Sequence, residues 1–119
     1  MFKVNNIIIT GNVATNIDIK EIGNKILHKF VIAVDSSYKK DGEWINQADF
    51  IPIEYWNYTE KDITKGEHIG IIGNVKQSSW ESDDGKKHNK IYIRALRLYK
   101  TQKEHYIDNN ITEDDGVPF

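Results

Sequence analysis

Alternating apolar and polar residues fill most of this 119-residue chain. Runs rich in isoleucine and valine are separated by turn signals at Gly23-Asn24, Asp41-Gly42, Lys65-Gly66 and Asp84-Gly85. These runs predict five strands, over Phe2–Thr15, Leu27–Tyr38, Asp49–Trp56, His68–Trp80 and Asn89–Tyr99. One short helix is plausible, at Asn57–Ile63 between the third and fourth strands. This order favours an all-β, five-stranded Greek-key barrel of the OB type, with an antiparallel sandwich as the alternative.

The third and fourth strands place large aromatic residues beside polar ones. Side chains on a strand point alternately to opposite faces. Phe50 and Trp56 share the parity of Glu54, and an acid is rarely buried, so all three are expected to face outward. Trp80 shares the parity of Lys76 and is expected to do the same. An outward aromatic row therefore runs beside basic side chains.

Exposed aromatic side chains of this size have two physical interpretations. They can form a subunit interface or a second small cluster beneath the loops. They can also stack on nucleic-acid bases, since every base has a π-face and neighbouring cations attract the backbone. The parity of the residues leaves both interpretations open.

Charge is distributed unevenly along the chain. The net charge is −2, but residues 103–119 hold one lysine and five acids, whereas residues 1–102 hold 15 basic and 13 acidic residues. A mildly basic body with an acidic end is more compatible with nucleic-acid binding than the net charge of −2 indicates. The absence of cysteine excludes disulfides and thiolate metal sites. The short apolar run Ile7–Ile9 cannot span a membrane, so a cytoplasmic location is expected.

Catalytic patterns are missing from the sequence. The four histidines are scattered without ligand spacing, the serine pairs lack a base partner, and no glycine-rich phosphate loop precedes a helix. Asp83 and Asp84 lie in a glycine turn, where acids usually cap the backbone. We therefore predict a protein that is not an enzyme and has no cofactor or metal.

Several segments together resemble the bacterial single-stranded DNA-binding protein family. They are Asn6–Val13, Phe30–Val34, Ala48–Trp56, Lys65–Glu67 with Ile71–Val75, and the terminal Asp114–Phe119. Each segment alone is weak evidence for the family, but the segments share the family's order and spacing and together cover nearly the whole chain. The resemblance implies an OB fold, sequence-independent binding and protection of single-stranded DNA during replication, recombination or repair, and a homotetramer or dimer. Stacking alone would not separate DNA from RNA.

The resemblance also implies the site. Its stacking positions fall on Tyr38, Phe50, Trp56 and Trp80, although Tyr38 has inward parity and needs a bend before it. The expected phosphate contacts are Lys39, Lys40, Lys76, Lys86, Lys87 and Arg94, of which Lys76 and Arg94 lie closest to the aromatic residues along the strands. Arg94 and Arg97 have opposite parity and can share a face only across a bulge. Trp44 either folds over DNA or steadies its own hairpin.

Two positions depart from the family pattern. The helix segment is shorter than usual, so the packing there must differ. Pro52 lies inside the third strand, where the family often carries a polar or basic residue. Proline cannot donate a ladder hydrogen bond, so an edge or a bulge is expected at that position.

The acidic end predicts a second region. We divide the chain into an OB domain over 1–102 and a flexible tail over 103–119 that ends Asp-Asp-Gly-Val-Pro-Phe. A terminal carboxylate beside an apolar side chain suits a basic pocket on a partner. The resemblance implies that such partners are replication, recombination and repair enzymes, and it implies a location at the nucleoid. The tail residues expected to bind them are Asp114, Asp115, Val117, Pro118 and Phe119.

The alternative function is an OB-fold adaptor whose aromatic face holds a protein in a replication or mobile-element system, since one fold hosts several functions. The short helix and short linker favour a phage, plasmid or other mobile-element version.

Overall fold

The computed structural model describes residues 2–101 as eight strands. Their bounds are β1 (Ile7–Val13), β2 (Asp18–Ile22), β3 (Lys25–Asp35), β4 (Tyr38–Lys40), β5 (Glu43–Ile45), β6 (Ala48–Asn57), β7 (His68–Glu81) and β8 (Lys87–Lys100). The predicted tail and its tip lie outside these residues. Residues 2–101 contain no helix long and apolar enough to cross a membrane.

Six of the strands form one sheet that closes on itself. Their order is β1-β7-β8-β6-β3-β2, and β1 also pairs with β3 through Asn12↔Ala33 and Val13↔Ile32. Neighbours are antiparallel except β6 and β8, which run parallel. Because the first strand pairs at both edges, the sheet becomes a barrel, and the predicted OB-type barrel is confirmed. Strands β4 and β5 form a separate two-stranded sheet, which we call the arm hairpin.

The barrel interior is filled by aliphatic side chains with inward parity. The buried cluster comprises Val13, Phe30, Ile32, Ile53, Ile63, Ile69, Ile71, Ile93, Ala95 and Leu98. The five predicted strands correspond to β1, β3, β6, β7 and β8, whereas the three short strands were not predicted. The first strand begins at Ile7 rather than Phe2. Before it, the Asn5 side chain bonds the Val75 backbone in both directions, as a paired strand residue would.

The predicted helix between the third and fourth strands is wrong. Residues 58–67 form bends and one turn, because the Lys61 backbone N–H, which would bond the Asn57 carbonyl in a helix, bonds the His28 side chain instead. Ile63 nevertheless inserts into the core. Lys100 Nζ ties the segment to β8 through Glu67 at 3.1 Å and Asp62 at 3.6 Å.

A buried histidine holds this segment against the barrel through hydrogen bonds. His28 is fully buried, and its Nε2 accepts a hydrogen bond from the Lys61 backbone N–H at 2.9 Å. The ring proton therefore sits on Nδ1, which donates to the Tyr55 carbonyl at 3.0 Å. One neutral imidazole thus links β3, β6 and the loop.

Replacing His28 with leucine should destabilise the fold. The change leaves the Lys61 N–H and the Tyr55 carbonyl without their buried partner. We expect a loss of about 2–4 kcal/mol in the free energy of unfolding, measured by urea titration with far-UV circular dichroism. The half-exposed His88→Leu variant is the control and should lose less than about 1 kcal/mol. Equal losses in the two variants would contradict the assigned role of His28.

A β-bulge interrupts the long β7–β8 ladder. Ile72 pairs with Arg97 and Gly73 pairs with Ala95, so Leu96 is the extra residue. The bulge reverses the parity of β8 beyond it. Arg94, opposite Asn74, and Arg97, opposite Ile72, therefore lie on the same side of the sheet. This is the arrangement that the sequence allowed only with a bulge.

Candidate nucleic-acid interface

The outward side of β6 carries two of the predicted stacking residues. Phe50 is 65% exposed, and Trp56 is half-buried opposite Leu27 of β3. Glu54 lies between them on the same side, with its carboxylate 4.0 Å from Lys29 Nζ. The outward parity predicted for this strand is therefore present in the fold.

Trp80 lies near the end of β7 and stacks on a neighbour that the sequence did not suggest. Its ring lies 5.4 Å from that of His88, the residue directly opposite on β8, at an interplanar angle of 19°. His88 Nε2 lies 3.0 Å from the Ser82 hydroxyl oxygen. Trp80 is still 50% exposed. One face of the indole is therefore supported while the rest of the ring stays open to a ligand.

The turn that joins β7 to β8 is fixed by its own hydrogen bonds. The Ser82 hydroxyl donates to Asp84 Oδ1, and the Lys86 backbone N–H donates to the same oxygen at 3.1 Å. The Ser82 hydrogen bond first, and then the Lys86 one, lower the pKa of Asp84. The carboxylate stays ionised and holds Ser82, which leaves the Ser82 oxygen to accept from His88.

Strand register brings two predicted cations to the aromatic side. Arg94 lies between Glu54 of β6 and Asn74 of β7, and residues opposite each other point to the same face. Lys76 follows two positions after Asn74, and Trp80 four positions after Lys76. We call the outward set Phe50, Trp56, Lys76, Trp80 and Arg94 the stacking face.

One further lysine on the same side of the sheet was not predicted. Lys90 lies opposite Ser78 and shares the parity of Arg94 and His88. Counting alternate positions back from Arg94 would have found it. Lys87 is placed differently, because it pairs with Glu81 on the reverse side of the hairpin from Trp80. Lys86 is exposed within the turn itself.

The chain bends before Tyr38, as its assignment requires. Strand β3 ends at Asp35, and the Ser37 backbone N–H donates to Asp35 Oδ1 at 2.9 Å. Hydrogen bonds from the Ser37 side chain and backbone lower the pKa of Asp35, so the break is held by an ionised carboxylate. Tyr38 then starts the arm hairpin and is exposed. Its inward parity within β3 no longer applies.

The remaining arm residues are exposed on a small hairpin. Lys39 lies opposite Trp44, and Lys40 lies opposite Glu43. Trp44 is 67% exposed. The arm hairpin pairs with no other strand among residues 2–101. Its two lysines and two aromatic residues are therefore carried on a unit separate from the barrel.

Pro52 has no backbone N–H to donate, but the pairing of β6 is not broken at this position. It pairs with Val31 of β3 without any break in register. The parallel pairing of β6 with β8 starts only at Ile53, so the other edge of β6 is open at Pro52. The expected edge is present, and no bulge is formed.

These positions describe a surface for an extended, flat, anionic ligand. Aromatic rings suit bases, and the lysines and Arg94 suit phosphates. Within the part of the chain described, no three acids and histidines come together as a metal site.

Comparison with known proteins identifies relatives of this chain. The profile of the Single-strand binding protein family matches residues 4–101. A "Single-stranded DNA-binding protein 1" from Clostridium acetobutylicum is 31% identical over 114 residues, which cover 85% of this chain and 98% of the relative. A "Single-stranded DNA-binding protein" from Clostridium tetani is 43% identical over 60 residues, 47% of this chain and 40% of that protein.

Two solved structures are similar in fold. The Plasmodium falciparum SSB in complex with ssDNA has a TM-score of 0.75 at 18% identity, over 86% of this chain and 98% of that one. A small single-stranded DNA-binding protein from Streptomyces coelicolor has a TM-score of 0.65 at 19% identity, over 85% and 96% of the two chains. The sequence match over residues 4–101 and the barrel they form agree: the chain belongs to the single-strand binding protein family.

Proposed function

We propose that this chain binds single-stranded DNA without sequence preference and keeps it extended and protected. The observation that carries the proposal is the stacking face, which places three large aromatic side chains and two cations on one side of the β6, β7 and β8 sheet. Bases stack on Phe50, Trp56 and Trp80, while Lys76 and Arg94 neutralise phosphates. No covalent bond is made or broken, so the protein acts by covering the bound strand.

The arm hairpin adds a second surface for the same strand. Tyr38 supplies an exposed ring, Lys40 supplies charge on the same side of the hairpin, and Lys39 supplies charge on the other side. Lys86 at the β7–β8 turn extends the positive charge beyond Trp80. Trp44 stands opposite Lys39 and serves mainly to steady the hairpin. Lys87, on the reverse side, contributes through the local field rather than by contact.

Self-association is the second part of the proposal. Ile8, Ile72 and Arg97 form one row across β1, β7 and β8, and Tyr99 lies opposite Gly70 in the next row. Ile8 is 65% exposed, and the bulged Leu96 nearby is 58% exposed. This patch presents the exposed apolar side chains of Ile8, Leu96 and Tyr99 together with Arg97, and apolar exposure of this kind favours an interface. We propose that copies of the chain pack on this patch as a dimer or tetramer.

The acidic tip, outside the described residues, completes the proposed function. Asp114 and Asp115 followed by Val117-Pro118-Phe119 suit a basic, apolar pocket on enzymes of DNA replication, recombination or repair. The protein would then act in the cytoplasm at the nucleoid, holding the strand while the tip recruits the enzyme that acts on it.

A tryptophan-fluorescence titration tests DNA binding directly. Oligo-dT should quench the emission strongly, whereas duplex DNA and oligo-rU of equal length give the comparison for strandedness and sugar. The logarithm of affinity should fall with the logarithm of salt by about 0.7 for each phosphate neutralised, and thus by roughly 2–4 for three to six contacts. No quenching, and no binding by an independent anisotropy assay, would favour the adaptor function instead.

A further inference from the structure

Tyr58 and Lys25 form an exposed pair just beyond the stacking face. Lys25 Nζ lies 5.5 Å from the centroid of the Tyr58 ring, within the range of a cation–π contact. Tyr58 is 67% exposed. Lys25 is the first residue of β3, and its neighbour Ile26 pairs with Asn57, the last residue of β6. The two side chains therefore meet where the β3–β6 ladder ends.

The position of Tyr58 is fixed by the chain around it. Asn57 Nδ2 donates to the Thr59 carbonyl at 2.9 Å, which closes a bend over Tyr58. Further along, His28 fastens Lys61 to the barrel. The segment does not continue as a helix, so Tyr58 points away from the core and stays exposed.

The pair continues the direction of the aromatic row on β6. Phe50 and Trp56 face outward on that strand, and Tyr58 follows one residue past its end. Lys25, which lies over the Tyr58 ring, shares the parity of Leu27, the β3 residue opposite Trp56. A strand of DNA lying over Trp56 and extending toward the end of β6 would meet Tyr58 next. Lys25 covers one part of the ring, and the large exposed fraction leaves room for a base.

The chemistry of the pair matches one nucleotide. A phenol ring offers a π-face to any base, and an adjacent ammonium neutralises the neighbouring phosphate. We propose that Tyr58 and Lys25 form an additional nucleotide site that lengthens the single-stranded DNA path beyond Trp56. This inference rests on the proposed function, because it extends the same DNA path.

The test is a length series of oligo-dT with Tyr58→Ala, using Tyr58→Phe as the matched control that keeps the ring. Affinity should rise with length up to a plateau in the unmodified protein. In Tyr58→Ala the plateau affinity should fall about 5- to 10-fold and be reached about one nucleotide earlier. Tyr58→Phe should behave as the unmodified protein does.

Lys25 provides an independent readout that a purely structural role would not move. Lys25→Met should reduce the slope of log affinity against log salt by about 0.7, the value for one phosphate on a single strand. Lys25→Arg should keep the slope.

A Tyr58→Ala variant that binds every length as the unmodified protein does, or that loses the same factor at every length, overturns the additional site while DNA binding itself stands. An unmodified chain that binds no length overturns the proposed function and this site together.

Discussion

Replacing Trp56 or Trp80 with alanine should each weaken oligo-dT binding by about 5- to 150-fold, because a lost base stack costs roughly 1–3 kcal/mol. Both indoles lie on the stacking face, and the supported ring of Trp80 needs little ordering when a base arrives. Binding should be measured by anisotropy of a labelled oligonucleotide, since each substitution removes one of the three tryptophans that give the intrinsic fluorescence.

Controls separate stacking from loss of structure. Trp56 is half-buried opposite Leu27, so its removal also disturbs packing. Trp56→Phe keeps a π-face and should retain most of the affinity. Trp44→Ala should have a smaller effect than either main variant, because the proposed role of Trp44 is to steady the arm hairpin and not to stack on a base. If Trp56→Ala and Trp80→Ala fold and bind DNA normally but lose a protein contact, the aromatic face is an adaptor surface.

Replacing Gly73 with alanine should have the largest effect on folding. A Cβ at this buried position would lie 2.1 Å from the Arg94 carbonyl oxygen and 2.9 Å from its carbon. The obstacle is backbone at the β-bulge, so no side-chain rotation relieves it. We expect a loss of about 3 kcal/mol or more in the free energy of unfolding, the upper end for overpacking.

The same strand supplies a matched control. A Cβ on buried Gly70 would meet its nearest neighbour, Thr10 Cγ2, at 3.6 Å, an ordinary van der Waals distance. Gly70→Ala should therefore change stability by less than about 1 kcal/mol. Urea unfolding of both variants decides the matter. Comparable losses would mean that the close approach at the bulge is not what requires glycine.

The strands that the sequence predicted are those with a buried side. Alternation is strong in β3, β6 and β7 because one set of side chains packs into the barrel while the other meets solvent. Strand β2 is exposed along its whole length, and β4 and β5 have three exposed residues each, so no burial marks their pattern. The helix predicted over Asn57–Ile63 does not form, since the Lys61 N–H bonds His28 of β3, a contact that the local sequence does not reveal.

The candidate site divides in the same way. Phe50, Trp56, Trp80 and Lys76 could be assigned to one side because parity holds along an unbroken strand. Register was needed to bring Arg94 beside them, since no local pattern reveals which residue lies opposite Asn74. His88 and Lys25 are identified only by their neighbours across the sheet or beyond its end. A sequence taken one position at a time contains neither contact.

The arm hairpin has a consequence for how a bound strand would leave. It is a two-stranded sheet of its own, joined at its base by the Ser36 N–H to the Gln47 carbonyl at 2.9 Å. On the proposed DNA path, which uses Tyr38 as well as the barrel, a strand can therefore detach from one surface while the other still holds it. A competing protein or complementary strand can occupy the vacated nucleotides before departure is complete. The dissociation rate should then rise with the competitor concentration, so that transfer of the strand to the competitor is faster than spontaneous release.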